Sequence, residues 1–212
     1  MNPIEDLISR ARSYRANTFS KDQALYERLV EQGQSPKILM VACSDSRVDP
    51  SIIFDSEPGQ IFMVRNVASL VQPFTSDGDC HGTSAALEFG VRALGVEHIV
   101  ILGHGHCGGI KTLLSGVEPF ETKSDFITPW LTCGVEIRDR LVRDMPDASE
   151  AEQARALEFE TIRMSIKNLM SFPWIAERVE NGSLALHGWH FDIAHGVISD
   201  VGLEGEPVVI SG

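Results

Sequence analysis

Ile38-Leu39-Met40-Val41-Ala42, followed at once by Cys43-Ser44-Asp45-Ser46-Arg47, is the stretch from which the rest of the chain can be read. The apolar run follows the Gly33-Gln34-Ser35-Pro36 turn and is short and continuous, as in a strand buried on both faces. Two runs of the same kind follow, Ile61-Phe62-Met63-Val64 and Ile99-Val100-Ile101-Leu102. Between those two, residues 83–94 place Ala86, Leu87, Gly90, Val91 and Leu94 at helical spacing. Buried strands alternating with helices predict an α/β fold: a central, mostly parallel β-sheet flanked by helices.

Working outward, residues 4–15 place Ile4, Leu7, Ile8 and Ala11 at helical spacing, and residues 20–29 read as a second helix capped by Ser20. Residues 1–34 are thus an N-terminal helical arm. Toward the other end, residues 148–170 are rich in Ala and Glu with a helical pattern that Phe172-Pro173 stops. The charged residues of 136–163 read as a solvated helix face. Leu184-Ala185-Leu186 with Trp189 and Phe191, then Gly196-Val197-Ile198-Ser199, look like two closing strands. No internal repeat, low-complexity tract or linker divides the chain, so residues 1–212 are read as one domain.

At 212 residues, with 43% apolar and 23% charged side chains, the composition is that of a soluble globular protein and excludes collagen-like, coiled-coil and disordered classes. Eighteen basic against thirty acidic residues give a net charge of −12, a field that repels phosphate backbones and anionic lipid. This argues against nucleic-acid and membrane partners. The N-terminus has no basic run followed by an apolar one, and no window reaches the ~20 apolar residues of a spanning helix. The expectation is a cytoplasmic protein whose Cys43, Cys80, Cys107 and Cys133 stay reduced and free to bind metal.

Open α/β sheets bind ligands at the carboxyl ends of their strands. The first apolar run ends in Cys43-Ser44-Asp45-Ser46-Arg47 and the third in Gly103-His104-Gly105-His106-Cys107-Gly108-Gly109. Thiolate and imidazole suit zinc, and Cys43, His104 and Cys107 supply three ligands with Asp45 as a fourth candidate. His106 competes with His104. Residues 103–108 also fit the dinucleotide pattern G-x-G-x-x-G, but the acidic residue it needs ~20 positions on would fall near Glu121 or Asp125, where no strand is read. A phosphatase-type nucleophile loop needs a longer gap than the three residues between Cys43 and Arg47. Cys80 and Cys133 lack partner ligands at motif spacing. His81, His98, His187, His190 and His195 read as structural or solvated, with a proton relay among them left open.

The pair C-S-D-S-R at 43–47 and G-H-x-x-C-G-G at 103–109 resembles the β-class carbonic anhydrases. The resemblance spans nearly the whole chain, through Gln34-Ser35-Pro36-Lys37, Arg65-Asn66-Val67-Ala68 and Leu186-His187-Gly188. It implies a zinc cofactor held by Cys43, His104 and Cys107, the H-x-x-C pattern selecting His104 over His106. It implies an Asp45–Arg47 catalytic dyad, in which Arg47 keeps Asp45 off the metal; with the dyad broken, Asp45 becomes the fourth ligand of a closed site. The activity implied is zinc-dependent reversible hydration of carbon dioxide to bicarbonate and a proton. Two thiolates and a neutral imidazole cancel the +2 of zinc, making it a weaker Lewis acid than zinc held by three histidines.

For the substrate, the resemblance implies contacts from Gln34, supplied by a dimer mate, and from Phe62, Val67 and Phe89, with the backbone amides of Gly105 and Gly108 as further donors. The chain is therefore expected to form a homodimer or a higher homo-oligomer such as a tetramer, with its helical arm on a mate. Many relatives carry a tyrosine at the position of Phe89. Met40 stands where a bicarbonate-inhibited subgroup has tryptophan, Arg65 is retained, and Phe191 matches the subgroup's tyrosine, so an open site without an inhibitory pocket is expected. Two alternatives stay open: the same metal set acting on carbonyl sulfide or carbon disulfide, and a non-catalytic module whose structural zinc is closed by Asp45.

Overall fold

The three apolar runs are strands β1 (Ile38–Cys43), β2 (Ile61–Asn66) and β3 (His98–His104) of a computed structural model that describes residues 2–116 and 124–211. Glu121 lies outside the described residues. β1 pairs in parallel with both neighbours, Met40 standing opposite Met63 on one side and Val100 on the other. β4 (Ala185–Asp192) continues in parallel on β3, and β5 (Val197–Asp200) and β6 (Val208–Ser211) close the sheet antiparallel, giving the order β2-β1-β3-β4-β5-β6. The mostly parallel sheet is the one expected. β6 escaped the sequence reading because it is an edge strand without a buried run: Val208, Val209 and Ile210 are 65%, 58% and 50% exposed.

At the N-terminus, α1 (Pro3–Ser13) runs through a π turn at Tyr14–Thr18 into α2 (Phe19–Gln32). Ser20 therefore lies inside a continuous helical rod and caps nothing, a correction to the expected second start. The true cap is Asn2, whose side chain accepts the Ile4 N–H at 3.0 Å, with Pro3 pre-set at the first helical position. Neither α1 nor α2 buries a residue, and Ile4 and Leu7 are each 61% exposed. Leu29 of α2 meets the main body at Gly59, but among the described residues the stripe of Ile4, Leu7 and Ile8 on α1 is left largely exposed.

α3 (Pro50–Ile53) lies between β1 and β2, and α4 (Gly82–Glu88), prolonged by a π turn at Phe89–Leu94, between β2 and β3. Between β3 and β4 come α5 (Gly108–Ser115), α6 (Ile127–Leu131), α7 (Val135–Asp144), α8 (Glu150–Leu169) and α9 (Pro173–Glu180). α8 starts on a capping box: Ser149 Oγ accepts the Glu152 N–H at 3.3 Å, and the Glu152 carboxylate accepts the Ser149 N–H at 2.8 Å. Phe172-Pro173 does more than end it, because Pro173 opens α9 at the position where a missing N–H costs nothing.

α8 and α9 cover one face of the sheet, where Ile162, Ile166, Leu169 and Ile175 pack with Leu39, Val41, Ile99 and Ile101. Two glycines permit this approach: a Cβ at Gly103 would stand 2.6 Å from Ile162 Cδ1, and one at Gly188 2.6 Å from Ile166 Cδ1. The reverse face clusters Met40, Ala42, Val100 and Leu102 with Val48, Ile53 and Trp189. β1 leads to β2 on one side of the sheet, whereas β3 leads to β4 on the other. The two connections diverge, and a crevice opens between the carboxyl ends of β1 and β3. Among the described residues no helix is long and apolar enough to cross a membrane.

Gly188→Val, which forces a branched side chain against Ile162 and Ile166, is expected to cost about 1–3 kcal/mol. A lowered urea midpoint at fixed protein concentration checks this; an unchanged midpoint would show that α8 does not need the glycine.

Candidate active site

The crevice receives three side chains that could hold a metal ion from three element ends. Cys43 is the last residue of β1, His104 the last of β3, and Cys107 stands immediately before α5; they are 5%, 2% and 4% exposed. Their ligand atoms all lie within 4.8 Å of one another. The two sulfurs are 3.9 Å apart, against ~3.8 Å for two sulfurs bound at ~2.3 Å to one tetrahedral zinc. His104 Nδ1 donates to the Gly105 carbonyl at 2.9 Å, because a carbonyl can only accept. That tautomer leaves Nε2 with a bare lone pair, and Nε2 is buried with no hydrogen-bond partner. An unpaired buried acceptor is costly, and a cation relieves the cost. Two sulfurs and an imidazole are a donor set that zinc prefers, so the residues present fit the metal. The competing His106 is exposed on the turn, with a left-handed φ of 57°, and stands outside the cluster.

The electrostatics favour a cation at the same point. The Cys43 thiol is lowered to about 4, first by its hydrogen bond with the Cys107 thiol, then by His104 and the Asp45 and Ala68 backbones, against the effect of burial. The same contact, together with burial, pushes the Cys107 thiol up. Burial works against a charged His104, yet the Cys43 sulfur, the Gly105 carbonyl and Asp45 outweigh it and raise the imidazole. One sulfur is thus biased toward the anionic form that a divalent ion needs, and such an ion would displace the proton of the other.

Asp45 is held away from this cluster. Arg47 Nε donates to its Oδ1 at 2.9 Å, Nη2 to Oδ2 at 2.7 Å, and the Arg47 backbone N–H to Oδ1 at 2.9 Å. This fork keeps the carboxyl well below the usual carboxylate range. Arg47 Nη2 also donates to the His106 carbonyl at 3.1 Å, tying the loop after β1 to the turn after β3. A second arginine fixes the same loop: Arg65 Nε donates to Cys43 O at 2.9 Å, and its Nη2 to Asp45 O and Val48 O at 2.7 Å each. In the sequence Arg65 stands within the resembling Arg65-Asn66-Val67-Ala68 stretch and at the position of an inhibitory pocket, and neither assigns it this clamp. Its place near the carboxyl end of β2, beside the loop, was the available signal.

The expected substrate residues fall into two groups. Val67 follows β2 in a turn that includes left-handed Ala68 (φ 64°) and Ser69 (φ 52°). A Cβ at Gly109 would stand 2.9 Å from Val67 Cγ1, so Val67 packs on the turn behind Cys107. Phe62 and Phe89 face each other with ring centroids 5.8 Å apart, and Phe62 stands opposite Leu39, four residues or about 13 Å down the strand from Cys43. Gln34 lies earlier still, exposed ahead of β1. Gln34, Phe62 and Phe89 are therefore set toward the other end of the sheet from their own chain's cluster. The Gly105 N–H donates to the Phe191 carbonyl at 2.9 Å, which corrects its expected role as a substrate donor. Gly108 opens α5, where the first N–H groups have no intrahelical acceptor.

The remaining candidates stand outside the ligand set. Cys80 is exposed and Cys133 half-buried, and all four cysteines are free thiols. His98 Nδ1 and His187 Nε2 are 3.1 Å apart, while His81 and His195 pair with Asp77 and Asp192.

Residues 38–198 match the family model described as "Carbonic anhydrase". The chain is also 36% identical over 198 residues to "Beta carbonic anhydrase 3" of Arabidopsis thaliana, covering 92% of this chain and 76% of that protein. It belongs to the β-carbonic anhydrase family. Among solved β-carbonic anhydrases, that of CcaA superposes with a TM-score of 0.89 at 32% identity, over 97% of this chain and 98% of the other. One of two tetrameric β-carbonic anhydrases from the filamentous ascomycete Sordaria macrospora superposes with a TM-score of 0.83 at 29% identity, over 95% and 98% of the two chains.

Elemental analysis of the purified protein is expected to find zinc, and Cys107→Ser is expected to lose most of it. Undiminished zinc in that variant would contradict the Cys43, His104, Cys107 set.

Proposed function

We propose that this β-carbonic anhydrase carries out zinc-dependent reversible hydration of carbon dioxide to bicarbonate and a proton, with Cys43, His104 and Cys107 holding the metal. The observation that carries this reading is the bare, buried His104 Nε2 beside two sulfurs 3.9 Å apart, while Arg47 occupies both oxygens of Asp45. A bound zinc supplies the Lewis acidity that makes water nucleophilic near neutral pH. Asp45 keeps its charge because Arg47 does; Oδ1 already accepts both the Nε–H and the backbone N–H of Arg47, whereas Oδ2 accepts only from Nη2 and retains a lone pair for a water proton. It thereby turns the water's lone pair away from itself and toward the substrate. Val67 walls the site with apolar surface, and the Gly108 N–H offers a donor to a developing carboxylate oxygen.

The engaged carboxylate favours the open arrangement over a structural zinc closed by Asp45. We read the whole chain as one unit that works as a homodimer or a larger homo-oligomer. Two observations support this: the arm leaves Ile4, Leu7 and Ile8 largely exposed among the described residues, and Gln34, Phe62 and Phe89 stand away from their own cluster. In this reading those three residues line the site of a second copy. The four free thiols agree with a reducing, cytoplasmic setting.

Stopped-flow carbon dioxide hydration on zinc-loaded protein tests the reading, with carbonyl sulfide breakdown measured on the same preparation. Carbon dioxide hydration at a rate that climbs with pH to a plateau is expected. Absent hydration together with sulfide release would transfer the site to the sulfur analogue. Arg47→Ala frees Asp45, whose carboxyl returns upward to its ordinary range near ~4 and still ionises at neutral pH, so the freed anion can take the metal. Zinc content is expected to persist while hydration falls about 100-fold or more, as for loss of a positioned group; undiminished turnover would reject the dyad.

A further inference from the structure

The proposed chemistry leaves unused a buried polar cluster behind the turn that carries His104. His190 on β4 is 1% exposed and Glu158 on α8 is 5% exposed, with His190 Nε2 3.0 Å from Glu158 Oε2. Arg155, one helical turn earlier on α8, places Nη1 4.0 Å from the same carboxylate oxygen and Nη2 3.3 Å from Asp192 Oδ2 on β4. Phe159 packs between these groups, its ring 5.2 Å from the Arg155 guanidinium and 5.0 Å from the edge-on His190 ring. The cluster meets the site at Gly105, where an added Cβ would stand 3.4 Å from Arg155 Nη1 and 3.7 Å from His190 Cε1. Gly105 is the residue whose carbonyl receives the His104 Nδ1–H and whose N–H is anchored on Phe191.

We propose that Glu158, His190 and Arg155 are positioning residues for the metal-binding turn: they form the floor on which the Gly105 peptide rests and so fix His104 Nε2 toward the metal. The argument is one of cost and place. A buried ionisable pair is a poor way to gain stability, since apolar residues of similar volume often serve as well or better. Here it stands against the peptide that accepts the His104 Nδ1–H, where outer partners commonly change metal affinity 10- to 100-fold. The proposal rests on the reading of Cys43, His104 and Cys107 as a zinc site.

The deciding variant replaces both partners with apolar residues, Glu158→Leu with His190→Phe, and the zinc-loaded protein is challenged with a chromophoric chelator. The expected result is a folded protein with unchanged thermal stability that releases zinc about 10-fold faster, and whose cobalt-substituted form shows an altered visible spectrum. Leu169→Ala, a core truncation at the far end of α8, is expected to lower stability yet leave zinc release and the cobalt spectrum as in the wild type. Wild-type release by the double variant, or equal acceleration by Leu169→Ala, would overturn the positioning role. Should the double variant fail to fold, Glu158→Gln keeps the volume and removes the charge, and wild-type zinc release there would overturn it equally. A wild-type protein that takes up no zinc would instead overturn the reading of the site, and this proposal with it.

Discussion

Parallel pairing of β1 with β3, in a register that sets Ala42 opposite Leu102, brings the ends of both strands to one edge of the sheet. The groups beyond those ends, Cys43 and His104, become neighbours although the sequence separates them by much of a crossover. Cys107 joins them because the turn after β3 is short and left-handed at His106, which reverses the chain before α5 begins. An antiparallel pairing would have sent the two ends to opposite edges. The crevice follows from the diverging connections, and its chemistry from what those connections begin with.

Around this point the molecule spends its arginines on loops rather than on helices. Arg47 joins the loop after β1 to the turn after β3, and Arg65 clamps three carbonyls of the first loop. Both guanidiniums bond to backbone carbonyls, and Arg47 to the Asp45 carboxylate as well, which holds irregular chain in one conformation where no ladder could. The result is a carboxylate that stays ionised and engaged beside two sulfurs, a combination that would repel itself without those cations.

The sequence made the sheet legible where strands are buried on both faces, since β1 and β3 carry runs that alternate with nothing polar. Where one face or an edge is open the signal thinned: β6 has only Val208, Val209 and Ile210 in sequence and no pattern around them. Ser20 looked like a helix start because its residue type suits a cap, yet the rod from α1 to α2 never breaks, and its first N–H groups are satisfied at Asn2. The cluster of Cys43, His104 and Cys107 was legible as a candidate because Cys43 and the Gly103–Gly109 stretch are local patterns at strand ends. The placement of Phe62 and Phe89 was not, because which end of a strand faces the site depends on the partner strand's register.

Residue type and local order alone therefore determined the α/β class, a set of candidate metal-binding side chains at two strand ends and the Asp45–Arg47 spacing, since each is written within a few consecutive residues; the choice of His104 over His106 came from the family resemblance. Tertiary structure alone decided that Arg65 grips the first loop, that the Gly105 N–H is committed to Phe191, and that Glu158 meets His190 beneath the ligand turn. The physical reason is one of range. Backbone preferences and apolar periodicity act over a turn or a strand and leave a mark on the sequence, whereas a hydrogen bond between a helix and a distant strand is settled only when the packed core brings the two together.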